Sequence, residues 1–525
     1  MIMKMKTIGC ISNLAKPLFV RNICTGKLSK TVETLTTTIH DERQQDVSHI
    51  RPYNEMPGPK SIPLLGNTWR FLPFIGDYNI EEIDKVSKRL HQQYGDVVKM
   101  DGLLNRPDMV FVYDANEIER LFRQEEKMPF RPSMPSLHYY KHIMRKDYFQ
   151  DKPGVIGVHG ESWYKFRSKV QQVMLQPKTA RMYIGAIEDA SITFLERIDK
   201  IKNTNNEVPD DFLNEIHKWA LESIALIALD VRLGCMDENA PGETQELINA
   251  VTTFFGNVGI LELKIPFWKV FNTPTWCSFV NALDTILKIT SRYTKEALER
   301  SKLKSKSKTE LSLLERVVAL DNDSKTAATL ALDLFLVGID TTSNSVASVL
   351  YQLALHPEKQ ALVHEEISKV LPSNGQTLEA KHIDDLKYLK ACIRETLRMY
   401  PVVIGNGRCT TTDTVIGGYH VPKGVHVVFQ HYVISNQDKY FPKSKEFLPE
   451  RWLAGEKMCH PFASLPFGFG RRMCLGRRFA DLEMIIVISK IIQAFKVEYH
   501  YEKLDYYINP MYSPNGPLKF NFIRR

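Results

Sequence analysis

One long apolar segment constrains the fold of this chain more than any other part of its sequence. It starts beside Asp323 and Ser324, either of which is a suitable N-cap, and runs as KTAATLALDLFLVGIDTTSNSVASVLYQLALH up to Pro357. At 1.5 Å per residue the predicted helix is roughly 48 Å long. Because it is apolar nearly all round, it belongs in the centre of a large protein. The other predicted helices must therefore pack around it.

A polar patch interrupts this apolar helix. Asp340, Thr341 and Thr342 follow Gly338 closely in the sequence VGIDTT. Buried polar groups cost free energy unless they are hydrogen-bonded, so these side chains need either partners or a function. Threonine hydroxyls can donate back to the carbonyl four residues earlier and loosen the helix there. The patch alone leaves both interpretations open: satisfied core groups, or part of an active site.

The rest of the chain predicts a mainly α protein with a small β portion. Residues 80–95 form an amphipathic pattern that predicts a helix. Alternating β-branched residues over 96–100 and 108–114 predict strands, and 418–430 predicts a strand pair around a Pro-Lys-Gly turn. No linker rich in Pro, Gly or Ser divides the chain after residue 60. We therefore expect one large helical domain over 51–525 with a long central helix and a small sheet.

Charge and cysteine usage exclude several function classes. The net charge of +8 is modest for 525 residues, and no repeat of alternating aromatic and basic residues accompanies it, so nothing predicts nucleic-acid binding. The eight cysteines form no CxxC pair, which is typical of a reducing compartment rather than of a disulfide scaffold. A zinc site is not predicted either, because it needs clustered Cys and His residues.

The N-terminal segment, residues 1–50, predicts a mitochondrial presequence followed by a polar spacer. Six basic residues precede the first acidic residue, Glu33, and serines and threonines are frequent. A membrane anchor is one alternative, but a span needs about 18 continuous apolar residues. Lys16, Pro17 and Arg21 interrupt any such run. A disordered basic tail is the other alternative.

Near the C-terminus, one cysteine lies among glycines and arginines. Cys474 belongs to FGFGRRMCLGRRFADLE, residues 467–483, which leads into a pattern that predicts a buried helix. A small buried cysteine, a nucleophile and a metal ligand are the three interpretations, and no cysteine-protease signature supports the nucleophile. Free amides at a helix N-terminus stabilise a thiolate. Gly470 lets the chain turn, and Gly476 lets a bulky group approach, which favours the ligand.

The spacing around Cys474 resembles a known family motif. Phe467-x-x-Gly470-x-Arg472-x-Cys474-x-Gly476 is similar to the haem-binding loop of the cytochrome P-450 family of haem-thiolate monooxygenases. Other segments resemble family motifs in the expected order: WYKFR at 163–167, VGIDTT at 337–342, ETLR at 395–398 and PERW at 449–452. The resemblance covers the chain from Met56 onward and implies the cytochrome P-450 fold.

This resemblance implies a cofactor, haem b (iron protoporphyrin IX), with the Cys474 thiolate as axial ligand of the iron. The cofactor-binding residues that it implies are Trp163, Arg167, Arg408, Phe467, Arg472, Cys474 and Gly476. Asp340 and Thr341 resemble the acid–alcohol pair that delivers protons during O₂ activation, and they are the implied catalytic residues. Their presence argues against family members that rearrange substrates without O₂. For Glu395, Arg398 and Arg451 the resemblance implies a buried structural ion network.

The resemblance is greatest to the insect-type mitochondrial branch, which implies an electron donor. Its members accept electrons from an adrenodoxin-like [2Fe–2S] ferredoxin, which an NADPH-dependent reductase reduces. The implied docking residues are Lys390, Arg394, Arg477 and Arg478; a solvated basic surface is the alternative. This branch also implies peripheral attachment to the matrix side of the mitochondrial inner membrane. Residues 259–276, rich in Ile, Phe and Trp, either touch a bilayer surface or form an ordinary packed loop.

The implied substrate is lipophilic, because the segments that line the family's pocket are largely apolar in this chain. They are 128–158, 259–276, the central helix near Phe335 and Leu336, 402–404 and 507–518. A foreign compound such as an insecticide is the first expectation, and an ecdysteroid or steroid hormone precursor is the alternative. A haem-thiolate sensor or binding protein without turnover is a remote third possibility.

Overall fold

The computed structural model describes residues 50–72, 74–131, 134–302, 311–372, 376–453, 459–508 and 511–525. Residues 52–525 form one compact unit. The prediction of a presequence and spacer over residues 1–50 lies almost wholly outside the described residues, so it stays a prediction.

Helices dominate the described residues, as the sequence predicts. In chain order they are α1 Ile83–Tyr94, α2 Ala115–Arg123, α3 Pro135–Tyr139, α4 Lys146–Phe149, α5 Gly160–Met174, α6 Pro177–Arg181, α7 Ile184–Ile201, α8 Phe212–Leu229, α9 Gly242–Leu263, α10 Pro274–Lys302, α11 Leu313–Asp321, α12 Ser324–Leu355, α13 Pro357–Val370, α14 Ala380–Asp385, α15 Lys387–Met399, α16 His431–Ser435 and α17 Arg477–Ala494. A π-helical segment, Tyr140–Met144, follows α3.

The predicted central helix is α12, and both of its ends match the sequence prediction. The Asp323 carboxylate caps it by accepting a hydrogen bond from the Lys325 amide at 2.7 Å, and Pro357 starts the next helix. Most α12 side chains are buried. Gly338 allows α8 to pack closely, because a methyl group there would lie 2.1 Å from Cδ1 of Ile224. Two helices carrying polar side chains thus meet in the middle of the protein.

The β portion of the described residues is small and consists of one four-stranded sheet and three strand pairs. Its strands are β1 Val97–Met100, β2 Met109–Val112, β3 Asn406–Cys409, β4 Thr414–Ile416, β5 Tyr419–Val421, β6 His426–Phe429, β7 Phe495–Glu498, β8 Tyr506–Ile508, β9 Tyr512–Pro514 and β10 Asn521–Arg524. One sheet has the order β1-β2-β6-β3, with β2 and β6 parallel and the other pairs antiparallel. The remaining strands form the pairs β7–β10, β4–β5 and β8–β9.

The predicted strand pair over 418–430 is wrong in its pairing. Both strands form, but β5 pairs with β4, whereas β6 pairs with β2 and β3. Thr410 holds the Pro-Lys-Gly turn instead, because its carbonyl accepts from the Gly424 amide and its amide donates to the Val425 carbonyl, both at 2.9 Å. The turn therefore redirects the chain from one sheet to another.

Two hydrophobic clusters form the core of the described residues. The larger one surrounds α12 and includes side chains of α5, α7, α8, α10 and α17. The smaller one lies under the four-stranded sheet and α1. Because α12 and the start of α17 both belong to the larger cluster, their polar residues are held on rigid elements.

Candidate active site

Cys474 lies in a tight loop just before α17. The loop bends at Gly468 and Gly470, whose φ angles of 70° and 74° favour glycine. The Cys474 amide donates to the Phe467 carbonyl at 2.9 Å, which closes the loop, and Gly476 is the N-cap residue of α17. The loop therefore presents the thiol beside a helix N-terminus, as the sequence predicts.

The surroundings of the thiol act on its pKa in opposite directions. The Cys474 side chain is exposed to the cavity, but the surrounding protein shields it from bulk water, and this desolvation raises its pKa. The backbone amides of Gly476 and Arg477 and the charge of Arg167 act to lower the pKa, but desolvation is the larger effect. Amides that point at a sulfur atom stabilise its anionic form and tune it as a metal ligand.

A cavity of about 360 Å³ joins Cys474 to the central helix. Eight α12 residues line it, and Leu334, Val337, Thr341 and Ser345 are among them and share one face of the helix. Val402 and Met511 also line it, as expected for the segments 402–404 and 507–518. The cavity is largely apolar, with the thiol and the Thr341 hydroxyl on its walls.

The predicted part of α12, near Phe335 and Leu336, lines this cavity through the adjacent residues Leu334 and Val337, whereas Phe335 and Leu336 themselves do not line it. Both side chains are buried in the larger hydrophobic cluster. Successive helical residues are rotated by about 100°. The face formed by Leu334, Val337 and Thr341 therefore leaves Phe335 and Leu336 turned towards neighbouring helices.

Three arginines bring surplus positive charge to the cavity. Arg131, Arg167 and Arg472 all line it, and among the described residues no carboxylate forms an ion pair with any of them. Burial lowers the pKa of Arg131 and of Arg167 to about 10 and that of Arg472 to about 9, and other arginines add to the effect at Arg131 and Arg472. Buried cations of this kind need an anionic partner.

The contacts of Arg472 show how this positive charge is oriented. Its Nε donates to the Pro129 carbonyl at 3.1 Å and its Nη1 to the Val158 carbonyl at 3.0 Å. Its guanidinium lies 3.6 Å from the ring centroid of Trp163, a cation–π contact. The remaining nitrogen, Nη2, is buried without a hydrogen-bond partner. This nitrogen is free to bind an anion in the cavity.

Arg167 and Arg408 differ in their partners. Arg167 donates to the Met473 carbonyl at 2.9 Å, so it also braces the Cys474 loop. Arg408 does not line the cavity, and its Nε donates to Oε1 of Glu125 at 2.6 Å. Cofactor contact by Arg408 stays a prediction. Arg131, by contrast, was missed by sequence reasoning, because no motif surrounds it.

The chemistry of these side chains fits a flat, metal-bearing dianion such as haem. A thiol beside a helix N-terminus can ligate iron, and the three arginines can bind two carboxylates. At Gly476, which lines the cavity, an added methyl group would meet no protein atom within 4 Å, so the cavity is open there. A cofactor can therefore approach the backbone beside Cys474.

Asp340 faces away from this cavity and towards α8. Its Oδ1 lies 3.5 Å from Nε2 of His217, and neither atom has a hydrogen-bond partner. Burial raises the pKa of Asp340 to about 7 and lowers the pKa of His217 to about 4. The Thr341 hydroxyl donates to the Val337 carbonyl at 2.6 Å. His217 was also missed by sequence reasoning; a histidine inside the apolar pattern of α8 was the only signal.

Glu395, Arg398 and Arg451 form the buried ion network that the sequence predicts. Arg398 donates from Nε and Nη2 to the Glu395 carboxylate at 2.9 and 2.8 Å, and Arg451 Nε donates to the same carboxylate at 3.1 Å. The Trp452 indole adds a hydrogen bond at 2.8 Å. Arg398 also donates to the Ser435 carbonyl, which ties α15 to α16. The network is structural, since none of its members lines the cavity.

The predicted basic residues on α15 and α17 come together. Arg394, Arg477 and Arg478 are exposed. Neighbouring side chains partly desolvate the Arg394 guanidinium, which lowers its pKa, and the positive charge of Arg477 adds a smaller effect in the same direction. Arg394 also lies 4.3 Å from the ring centroid of Trp452. Lys390 is half-buried and donates to the Asp384 carbonyl at 3.1 Å. The two sequence clusters therefore form one surface, which we call the basic face.

Comparisons with known proteins agree with this geometry. The sequence profile described as Cytochrome P450 matches residues 56–522. "Probable cytochrome P450 49a1" of Drosophila melanogaster is 43% identical, covering 99% of this chain and 93% of that protein. "Probable cytochrome P450 301a1, mitochondrial" of the same species is 48% identical, covering 90% and 87%.

The fold agrees as well. The structure described as "Crystal structure of cytochrome P450DA heme domain" has a TM-score of 0.71 and 17% identity, and the match covers 90% of this chain and 98% of that one. This likeness concerns the fold, while the family profile and the two fly proteins concern the sequence. Together they show that the chain belongs to the cytochrome P450 family and is a monooxygenase whose haem is held by a cysteine thiolate.

Proposed function

We propose that this protein is a mitochondrial monooxygenase that inserts one oxygen atom of O₂ into a lipophilic substrate with electrons from a [2Fe–2S] ferredoxin. The observation that carries the proposal is the apolar cavity with Cys474 and Thr341 on its walls. Asp340, the residue before Thr341 in the chain, is buried. Haem binding alone needs only the thiol and the arginines. The buried acid and the hydroxyl are the groups that proton delivery needs in addition.

Cys474 is the residue we assign as the iron ligand. When bound, haem supplies the O₂ chemistry, which electron donation from a thiolate favours. Arg131, Arg167 and Arg472 would bind its two propionate carboxylates and so neutralise their own buried charge. Trp163 would keep the Arg472 guanidinium in place through the cation–π contact. Backbone carbonyls already hold the guanidinium groups of Arg167 and Arg472, so this part of the site is preorganised.

Asp340, His217 and Thr341 are the groups we assign to proton delivery. His217 contacts Asp340 from the interior of the protein, and Thr341 presents its hydroxyl to the cavity. Rotation of the Asp340 side chain would carry a proton from the His217 side to the cavity side of α12. A carboxyl with a pKa of about 7 can both accept and release a proton near neutral pH.

Two neighbouring cavities support a lipophilic substrate. A second cavity of about 1130 Å³ shares Arg131, Val403 and Asn406 with the haem-side cavity. Aromatic and aliphatic side chains dominate its lining, including Phe71, Phe74, Phe111, Phe267 and Trp268. An apolar path of this size suits a lipophilic molecule. A foreign compound such as an insecticide is our first proposal for that molecule.

The basic face supports a ferredoxin as electron donor. Arg477 and Arg478 start α17 three residues after Cys474, and Arg394 lies next to Arg477. An acidic ferredoxin docked there would sit on the thiolate side of the haem. Arg477 also lies 3.6 Å from Asp481, so part of its charge is compensated. We therefore assign the face a role in steering the partner rather than in tight binding.

An exposed apolar surface supports peripheral attachment to a membrane. Six large apolar side chains from two segments are exposed: Leu64, Phe74, Ile75, Phe267, Val270 and Phe271. Of this set, Phe74 and Phe267 line the second cavity. Lys264 and Lys269 flank them. Apolar side chains with flanking lysines suit an anionic lipid surface. No helix among the described residues is long and apolar enough to span a bilayer.

The mitochondrial location rests on relatives and on the N-terminal sequence. The fly protein with 48% identity carries "mitochondrial" in its name. Residues 1–50 have the basic, acid-poor composition of an import signal. We place the enzyme peripherally on the matrix side of the inner membrane, where a ferredoxin and its NADPH-dependent reductase can reach the basic face.

Reconstitution with purified partners tests the proposal. The full-length protein, adrenodoxin-like ferredoxin, its reductase and NADPH are incubated with several insecticides and one ecdysteroid precursor. We expect a thiolate-type CO difference spectrum and oxidation of at least one insecticide that depends on the ferredoxin. Oxidation of the ecdysteroid precursor alone would favour the hormone pathway. A normal spectrum without any product would favour a sensor.

A further inference from the structure

A buried ion pair joins the segment before α4 to the central helix. Lys141, in the π-helical segment Tyr140–Met144, places its Nζ 2.8 Å from Oδ1 of Asp333 in α12. The side chains are 1% and 3% exposed, which makes this pair as buried as the structural network around Glu395. Unlike that network, Asp333 lines the haem-side cavity.

The same two side chains also hold the loop at residues 153–156. Lys141 Nζ donates to the Pro153 carbonyl at 2.9 Å and to the Ile156 carbonyl at 3.1 Å. The Val155 amide donates to Oδ2 of Asp333 at 2.7 Å. All three N–H groups of the lysine and both carboxylate oxygens therefore have partners. We call this set of contacts the 141–333 clamp.

Gly154 shows how closely the loop fits the clamp. Its φ is 87°, a conformation that favours glycine, and a methyl group there would lie 2.2 Å from Oδ2 of Asp333. Val155, whose amide donates to Asp333, and the next residue, Ile156, line the same cavity as Asp333. The clamp thus fixes a cavity wall at backbone level.

The position of the clamp along α12 relates it to the reacting groups. Asp333, Val337 and Thr341 follow each other at intervals of four residues on one helix face, and all three line the cavity. Eight residues of helix correspond to about 12 Å. The clamped loop therefore closes the cavity about two turns of α12 away from Thr341, where the far end of a bound molecule would lie.

Stability alone does not account for charges at this position. Replacing a buried ion pair by well-packed apolar residues is often neutral or stabilising. What a charged pair adds here is geometry, because it fixes three backbone groups of one loop at once. Apolar side chains would pack against the loop without fixing it.

We propose that Lys141 and Asp333 are positioning residues that set the shape of the substrate cavity and thereby its selectivity for bulky ligands. This inference rests on the proposed function, because only that function makes the cavity a substrate site. The experiment that tests the inference does not depend on the proposed function. The clamp holds Val155 and Ile156 against the ligand, and without it the wall becomes mobile. Small ligands that fill only the space beside the haem iron would not reach the wall.

Two heterocyclic probes of the haem iron test this without turnover. Imidazole and the bulky azole clotrimazole are titrated into the haem-loaded full-length protein, and both are followed by the shift of the haem absorption band. The variants are Lys141→Met with Asp333→Asn together, and Gly154→Ala, which keeps both charges. Lys146→Met is the control, because Lys146 is exposed in the neighbouring α4.

In the double variant and in Gly154→Ala we expect clotrimazole to bind at least about tenfold more weakly, while imidazole affinity changes less than about twofold. Amide hydrogen exchange in peptides that contain residues 153–157 should rise at least about tenfold. Lys146→Met should change none of these values. If one variant fails to fold, the other still gives both measurements.

Two results would overturn the proposal. One is that the affinities for imidazole and clotrimazole change by the same factor, which would make the Lys141–Asp333 pair a purely structural element. The other is unchanged exchange at residues 153–157 in a folded double variant. Both measurements use neither ferredoxin nor substrate. A failure here therefore differs from a failure of the proposed monooxygenase reaction, which would appear only in the reconstituted assay.

Discussion

His217 Nε2 lies 3.5 Å from Asp340 Oδ1, and this contact joins α8 to the acid of the proposed proton path. Both side chains are buried, and neither of these two atoms forms a hydrogen bond. The opposite shifts of their pKa values, raised for Asp340 and lowered for His217, mean that burial favours the neutral form of each. The pair can therefore share a proton without creating a lasting buried charge.

We predict that breaking this path uncouples electron use from product. In His217→Leu and in Thr341→Ala, NADPH consumption should continue, while product formed per NADPH falls about tenfold or more and hydrogen peroxide rises. Ser343→Ala is the control, because its hydroxyl donates to the Ile339 carbonyl as Thr341 does to Val337, but it does not line the cavity. Measuring NADPH, product and peroxide together checks this. Normal coupling in both variants would remove these residues from the path.

The raised pKa of Asp340 predicts a specific dependence of stability on pH. The folded pKa of about 7 exceeds the ordinary value of 3.8, so the protonated form is favoured in the folded state. The contribution of Asp340 protonation to the free energy of unfolding is complete below pH 3.8 and is lost as pH rises through about 7. Asp340→Asn keeps a neutral side chain at every pH. From about pH 4 to about pH 8, the unfolding free energy of the variant relative to wild type should rise by up to about 4 kcal/mol.

Urea unfolding of the haem-loaded protein across this range checks the prediction. Asp333→Asn is a useful comparison, because the Asp333 carboxylate is paired with Lys141. A constant difference between Asp340→Asn and wild type would mean that the folded protein holds Asp340 ionised. In that case the proposed exchange with His217 would lose its basis.

Arg131 should contribute to haem retention although no sequence motif marks it. Arg131→Leu removes one of three cationic groups from the cavity wall, so the propionates lose a partner. We expect the haem content per protein to fall, and haem transfer to apomyoglobin to speed up about tenfold. Arg471→Leu is the control, since Arg471 is exposed in the same loop as Cys474. Equal transfer rates in both variants would exclude a propionate contact for Arg131.

Much of this fold could be predicted because its signals are local. The apolar run of α12, its Asp323 cap and the glycines around Cys474 each act over a few residues, so the sequence shows them directly. The family resemblance then added the haem and the roles of distant motifs. The mainly α class and the central position of α12 were both confirmed.

The features that sequence reasoning missed are contacts between distant segments. His217 meets Asp340 across 123 positions, and Lys141 meets Asp333 across 192. No local period encodes such pairs. The wrong strand pairing of 418–430 has the same cause, because β6 finds its partners in β2 and β3. The rotation of α12 about its own axis, which puts Leu334 and Val337 rather than Phe335 and Leu336 on the cavity wall, is likewise set by packing against distant segments.

The basic face predicts a reaction that is sensitive to charge and salt. Arg394→Glu combined with Arg477→Glu should raise the apparent KM for ferredoxin at least about tenfold at low salt and leave the CO spectrum unchanged. The difference should shrink as salt rises, because salt screens exposed charges. Lys288→Glu, an exposed change on α10, is the matched control. If the apparent KM for ferredoxin is the same in the double variant and in Lys288→Glu, the basic face is a solvated surface without a docking role.

The last prediction concerns the exposed apolar side chains near the second cavity. Phe267→Ser with Phe271→Ser removes two rings that are more than half exposed, so the change should cost little in folding. Binding to vesicles that contain anionic phospholipid should weaken at least about tenfold, because two apolar groups no longer leave water. Leu320→Ser removes an exposed apolar side chain from α11 and should have no such effect. Sedimentation with vesicles measures the bound fraction of the wild type, the double variant and Leu320→Ser. Equal binding of the wild type and the double variant would assign residues 267–271 to an ordinary surface loop.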